Sequence, residues 1–221
     1  MAARRPYVLI VAPLVLAACG GGGASTPKNG GGLSAAVQKT LAQGSEKVGL
    51  AGKVGLSGQT FTVKGNGAFG RKGGTLHLSV KVPIVGTTTL DEIVVGKRAW
   101  LRSPLVGKGW VPVENGPKAL GFDTRALTGV TPASALELLR TGKVEALSDH
   151  HYRVTLTRKS GGVQFNTAEA WVDDQNLIWR VNVDFDATVS GSKAHSVMTI
   201  DYSDFGTPVS VSPPPAAEVG G

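Results

Sequence analysis

From Leu76 to Val82 the chain alternates without a break, Leu76, Leu78, Val80 and Val82 against Thr75, His77, Ser79 and Lys81. The same period of two runs through Tyr152, Val154 and Leu156. Its longest stretch sets Leu177, Trp179, Val181, Val183, Phe185, Ala187 and Val189 against Ile178, Arg180, Asn182, Asp184, Asp186, Thr188 and Ser190. Successive side chains of a strand point to opposite faces, so these segments predict antiparallel strands with one dry and one wet face. Less regular strands are predicted near 47–57, 59–69, 87–95, 97–102, 109–113, 143–148, 163–173 and 194–205. With the three clear ones this makes about eleven, joined mostly by Gly-containing turns at Ser57-Gly58, Arg71 to Gly74 and Ser160 to Gly162. A meander of that length twists and curls into a barrel or half-barrel.

Two short helices interrupt the pattern. Leu33, Ala36, Val37, Thr40 and Leu41 recur at helical spacing, and Gly44 ends the run. Further on, Thr131 suits an N-cap and Pro132 the first helical position of a helix running through Leu136 and Leu139 to a stop at Gly142. Between Ser103 and Val130 lies a Pro/Gly-rich connection with Trp110, Leu120, Phe122 and Leu127, longer than a hairpin needs and suited to a lid or mouth. About eleven one-sided strands make a large apolar concave face with only two helices and one loop to cover it. Periodicity leaves two outcomes open, a filled core and an apolar cavity. The small stock of six Phe, four Trp and three Tyr favours the cavity.

The N-terminus follows different rules. Residues 1–19 combine a basic start (Arg4, Arg5), an apolar run from Tyr7 to Leu16 and two small residues before Cys19, the layout of a secretory signal peptide. The run is shorter than the ~20 residues of a spanning helix, and Pro13 interrupts it. Leu16-Ala17-Ala18-Cys19 resembles a bacterial lipobox, which predicts cleavage after Ala18 and acylation of Cys19, the only Cys in the chain. Two or three acyl chains anchor a protein stably. The Gly-rich tract that follows, within a tether spanning 19–32, would hold a single folded domain (33–221) on the order of 20 Å from the outer face of the plasma membrane.

Of the 221 residues, 41% are apolar, enough to bury a core, and the lone Cys excludes both an internal disulfide framework and a multi-cysteine zinc site. A net charge of +7 (23 Lys+Arg, 16 Asp+Glu) falls to +5 once residues 1–18, with Arg4 and Arg5, are removed. The basic residues are scattered, and the close pairs Arg71-Lys72, Lys97-Arg98 and Arg158-Lys159 fall in turn-like contexts, so nucleic acid is not an expected partner. An anionic membrane surface fits better. His77, His150, His151 and His195 read as solvated surface residues, Asp184 and Asp186 as wet-face solubility, and Asp173-Asp174-Gln175-Asn176 as a hairpin turn. There is no phosphate loop and no nucleophile elbow. Nothing in the sequence calls for an enzyme, a metal or a cofactor.

The order of lipobox, Gly-rich tether, helix, meander, central helix and closing strands resembles the LppX/LprG group of actinobacterial lipoproteins, related in fold to the LolA/LolB lipoprotein carriers. The resemblance is carried by Ile93-Val94-Val95-Gly96 leading to Ala99-Trp100-Leu101, by Gly109-Trp110-Val111-Pro112-Val113, by Tyr152-Arg153-Val154 and by Ala170-Trp171-Val172-Asp173 before Leu177-Ile178-Trp179-Arg180-Val181. The end, Tyr202-Ser203-Asp204-Phe205-Gly206-Thr207-Pro208-Val209 running into Pro213-Pro214-Pro215, belongs to it too. It implies a mainly β, α+β domain, an unclosed antiparallel half-barrel whose apolar concave face is covered by helices. It also implies that an acyl lipid or lipoglycan is bound there and carried across the cell envelope, with a membrane exporter as a candidate partner. The candidate cavity lining is then Leu76, Leu78, Val80, Val82, Val154, Leu156, Val181, Val183 and Phe185, with Leu136 and Leu139 from the helix. The alternative is a structural or adaptor lipoprotein with a filled core that binds an envelope protein.

Overall fold

The computed structural model describes residues 31–220 except 84–85, 106, 114–130, 161–162 and 190–191. Residues 1–30, with the lipobox and Cys19, lie outside the described residues, as do Leu120, Phe122 and Leu127 of the long connection. The predicted first helix, α1, spans Gly31–Ala42 and buries Leu33, Ala36, Val37 and Thr40, the residues at helical spacing. Gly44, at φ +76°, turns the chain out of it.

Six strands follow: β1 (Ser45–Leu56), β2 (Gln59–Gly70), β3 (Gly73–Val82), β4 (Gly86–Val95), β5 (Arg98–Arg102) and the short β6 (Val111–Pro112). Helix α2 (Pro132–Leu138) precedes β7 (Lys143–Ser148), β8 (His151–Thr155), β9 (Lys159–Ser160), β10 (Val163–Val172), β11 (Ile178–Val189) and β12 (Ser192–Ser203). The two-residue β9 was not predicted. In the β1/β2 hairpin Leu56 faces Gln59, and Ser57 (φ 51°) and Gly58 (φ 77°) both take positive φ, the geometry that matches strand twist.

The pairing is antiparallel throughout, in the order β6-β5-β4-β3-β2-β1-β12-β11-β10-β8-β7, with β9 beside β10. Strands β1 and β12 meet in the middle, from Lys47 opposite Ser203 to Leu56 opposite Ala194. One meander runs outward from β1 to β6 and the other from β12 to β7. The outermost strands, β6 and β7, are not paired to each other, so the half-barrel stays open. They are neighbours in sequence, and the connection between them must cross from one edge to the other. It carries α2, which packs against both α1 and β11.

Register builds the inner face in rows. Val154, Ala168, Val183, Met198, Gly52, Val63 and Val80 lie opposite one another across seven strands. Leu33, Ala36, Val37, Ala135, Leu136, Leu138 and Leu139 of the helical segments join the same core. Two inner-face positions of β2 tolerate no side chain: a Cβ at Gly65 would stand 2.3 Å from the His77 carbonyl oxygen and one at Gly67 2.3 Å from that of Thr75. The methyl groups of Leu76 and Leu78 lie over these glycines and close the core of the strongly bent sheet.

The strand predicted from Leu177 changes phase. Val181, Val183 and Phe185 are fully buried as expected, but Trp179 is 37% exposed and Ile178 is buried instead. The cause is a bulge: Trp171 pairs with Arg180 and Val172 with Ile178, leaving Trp179 as the extra residue. On the outside, the Arg180 guanidinium lies 4.7 Å from the centre of the Trp179 ring. Inside, the Thr40 hydroxyl donates to the Ala36 carbonyl oxygen (2.8 Å) and accepts from the Ile178 amide (2.9 Å), joining α1 to the start of β11.

After β12 the tail turns back as a strap. The Gly206 amide donates to the Ser45 carbonyl oxygen, and Val209 packs on Gly70. At its end, Trp110 donates to the Glu218 carbonyl oxygen (2.7 Å) and Gly220 to that of Trp110 (3.0 Å), a parallel bridge beside β6.

Thr40→Val keeps the shape of the side chain but leaves the Ile178 amide buried without an acceptor. It is expected to lower stability by about 1–3 kcal/mol, read from the urea midpoint, whereas Thr40→Ser, which keeps the hydroxyl, is expected to avoid most of that loss.

Candidate functional site

The structure brings the candidate lining residues together. Leu76, Leu78 and Val80 of β3, Val154 and Leu156 at and just beyond β8, Val181, Val183 and Phe185 of β11, and Leu136 and Leu139 at α2 are buried in one continuous apolar cluster. Val82 is half-buried at its border. Among these side chains, Phe165 and Phe185 meet with ring centres 5.9 Å apart.

Open space lies at one end of this face. A cleft of about 330 Å³ is bordered by Leu41 at the end of α1, Glu46, Phe69 and Val94 from β1, β2 and β4, Arg71 and Lys72 in the β2/β3 turn, and Thr131-Pro132-Ala133 at the start of α2. None of the sequence-derived lining residues borders it. Phe69 sits in a glycine-rich strand, and Val94 lies in the unbroken apolar run Ile93-Val94-Val95, so alternation gave neither a face.

Local chemistry fixes the mouth. The Thr131 hydroxyl accepts from the Ser134 amide (3.2 Å) and Pro132 occupies the first turn, so α2 begins where the sequence predicts. Its last helical residue is Leu138, ahead of the predicted stop at Gly142, which instead lies close against the Thr155 carbonyl oxygen. The Tyr202 hydroxyl donates to the Pro132 carbonyl oxygen at 2.8 Å and ties the start of α2 to β12. Burial, with a smaller contribution from the Glu46 charge, holds the Tyr202 pKa well above the usual phenol value. Arg71 and Lys72 have no ion-pair partner among the described residues, so the rim is cationic.

Two acidic residues share the inner face. Glu46 borders the cleft, and burial raises its pKa. Glu92 of β4 stands deeper, opposite Leu76 of β3 and Leu101 of β5, and only 9% of it is exposed. Desolvation pushes its pKa up to about 7. By contrast, several acids of the wet face are paired. Asp91 contacts His77 and Arg102, Glu169 contacts His151 and Arg153, and Asp201 receives Arg180. His195 lies between Asp184 and Asp186, which also accept from Asn166. His150 contacts Asp174 in the β10/β11 turn, where Asp173 accepts from the Gln175 and Leu177 amides. These are solvated pairs on an outer sheet surface, as the alternation predicts.

The raised pKa of Glu92 has a consequence for stability. The folded state holds the proton more tightly than the unfolded chain, so ionisation of this residue costs nothing well below pH 4.5 and progressively more as pH rises towards about 7. Above that the cost levels off at about 3 kcal/mol. Glu92→Gln removes the titration. The stability of this variant relative to the unsubstituted protein is expected to improve by about 2–3 kcal/mol between pH 5 and pH 8, measured by urea unfolding at both.

No protein-family model matches this chain, and no curated protein matches it. Among solved structures, a DUF1329-family protein from Desulfovibrio piger is similar over 84% of this chain and 96% of its own, at 11% identity and a TM-score of 0.39. The lipoprotein LppX of Mycobacterium tuberculosis is similar over 81% of this chain and 98% of its own, at 13% identity and a TM-score of 0.39. A LolA-superfamily protein from Nitrosomonas europaea is similar over 78% and 90%, at 14% identity and a TM-score of 0.32. At these identities and TM-scores no function passes from them to this chain.

Proposed function

We propose that this chain is a membrane-anchored lipoprotein that holds an acyl lipid against the inner face of its open sheet and carries it across the cell envelope. The observation that carries the reading is the open, one-sided half-barrel: its apolar inner face is backed by two short helices, and a cleft leads onto that face between them. A concave apolar site with a few polar groups at its mouth suits an amphiphile. The cationic rim of Arg71 and Lys72 suits an anionic headgroup, whether free or still in a membrane surface.

The sequence supplies the address. Cleavage after Ala18 would leave Cys19 as the acylated residue, and the tether at 19–32 would keep the domain within reach of the outer face of the plasma membrane. A lipoglycan is the larger form of the same ligand, and a membrane exporter is the partner that would receive or supply it. The candidate lining then divides into two parts. Val183, Phe185 and their buried neighbours form the wall, while Leu41, Phe69, Val94 and Pro132 form the entrance.

The test is to purify the full chain from membranes of a host that acylates lipoproteins and to measure bound lipid by mass spectrometry of the native protein. Acyl lipid is expected in near-stoichiometric amount. Val94→Trp, at a half-buried cleft position with room beside it, is expected to lower the load several-fold with an unchanged unfolding midpoint. Lipid-free protein that co-purifies with one stoichiometric envelope protein would instead support the adaptor alternative.

A further inference from the structure

Glu92 is the one acidic side chain in the row formed by Val48, Gly67, Leu76, Glu92 and Leu101. It faces Leu76 across one strand boundary and Leu101 across the other, and Leu90 is the preceding residue on its own face of β4. These leucines are at most 6% exposed and Glu92 is 9% exposed. Among the described residues its carboxyl group has no hydrogen-bond or ion-pair partner. A leucine at this position would continue the dry row and remove the cost of burying a polar group, so the fold itself has no use for a carboxyl here.

The surroundings narrow what that carboxyl could meet. Val94, the next inner-face residue of β4, borders the cleft, which puts Glu92 roughly 7 Å further along the same face. No described cation faces it. Asp91, His77 and Arg102 belong to the opposite face of the same strands and satisfy one another there. The charged groups that border the cleft are Glu46, of like charge, and Arg71 and Lys72 at the rim. A ligand that supplies a partner for Glu92 would carry it on a body apolar enough to lie against leucines. Near neutral pH the carboxyl is present in both protonation states. A hydroxyl is the neutral group that serves both, donating to the carboxylate and accepting from the carboxylic acid. An ester carbonyl could only accept, and an ammonium group would be stripped of water with a single partner.

We infer that Glu92 is a specificity-determining residue of the lipid site: it receives a hydroxyl carried on an acyl chain, so the protein selects hydroxylated over plain acyl lipids. The inference rests on the lipid-binding reading above and adds the chemical class of the ligand. A hydrogen bond to a partly charged group on a largely desolvated carboxyl corresponds to a preference of roughly 10- to 100-fold.

The full-length protein, stripped of bound lipid, is titrated at pH 7 with stearate and with 2-, 3-, 10- and 12-hydroxystearate in competition with a fluorescent fatty acid. At least one hydroxystearate is expected to bind roughly 10- to 100-fold more tightly than stearate. In Glu92→Leu that preference is expected to fall to within about twofold, while stearate itself binds as tightly as before or more so. Glu92→Met, close in shape to Glu, is expected to behave the same way and serves if the Leu variant does not fold. Equal binding of stearate and every hydroxystearate, or a preference that survives both substitutions, would overturn the role of Glu92 and leave the lipid reading standing. Failure of all five fatty acids to displace the probe would overturn the lipid reading itself.

Discussion

The pairing of β1 with β12 is the constraint on which the rest of the molecule depends. Ten consecutive residue pairs join the first strand to the last in the middle of the sheet. Each half of the chain then has to spread outward as a meander, and the two outermost strands fall at the middle of the sequence. The chain between them must cross the sheet, and α2 is what it carries across. Because β6 and β7 do not pair, the twisted sheet remains a half-barrel with its apolar side facing the helices.

Each helix is fastened to that face by a side-chain hydrogen bond to backbone as well as by apolar packing. Thr40 fixes α1 to the bulged start of β11, and Tyr202 fixes the start of α2 to β12. The cleft lies between the end of one helix and the beginning of the other, beside both attachments. Such bonds contribute about 1 kcal/mol each. They position the helices without filling the space between them. The strap after β12 closes the rim along the ends of β1 and β2. Against this background Glu92 and Glu46, acids without ion-pair partners among the described residues, and the unpartnered Ser196 hydroxyl are the local conflicts of a mostly apolar inner face. Conflicts of that kind gather where function, rather than stability, sets the residue.

Much of the fold was legible in the sequence because a period of two survives wherever only one face is buried. The eleven longer or clearer strands and both helices fall close to where alternation, the Thr131-Pro132 start and the Ser57-Gly58 turn put them. The bulge at Trp179 was hidden because Leu177, Ile178 and Trp179 are all apolar, so a change of face leaves no mark in the pattern. The two residues of β9 are too few to show a period. The buried inner face could be read from Val181, Val183 and Phe185, since they alternate strictly. The cleft could not: Val94 is flanked by apolar residues, and Phe69 comes to border it with Leu41 and Pro132 only through the tertiary fold. Glu92 escaped for a related reason. A carboxyl on the dry face breaks the alternation of β4, and next to Asp91 it reads as one more solvated acid.

A crystal structure of the full chain, purified with whatever it carries out of the membrane, tests the central claim most directly. The account predicts elongated, chain-like density lying along the inner face from the cleft at Phe69 and Val94, with a polar atom within hydrogen-bonding distance of the Glu92 carboxyl. Protein side chains packed solidly from α1 and α2 onto the sheet, with Glu92 satisfied by the protein itself, would contradict it.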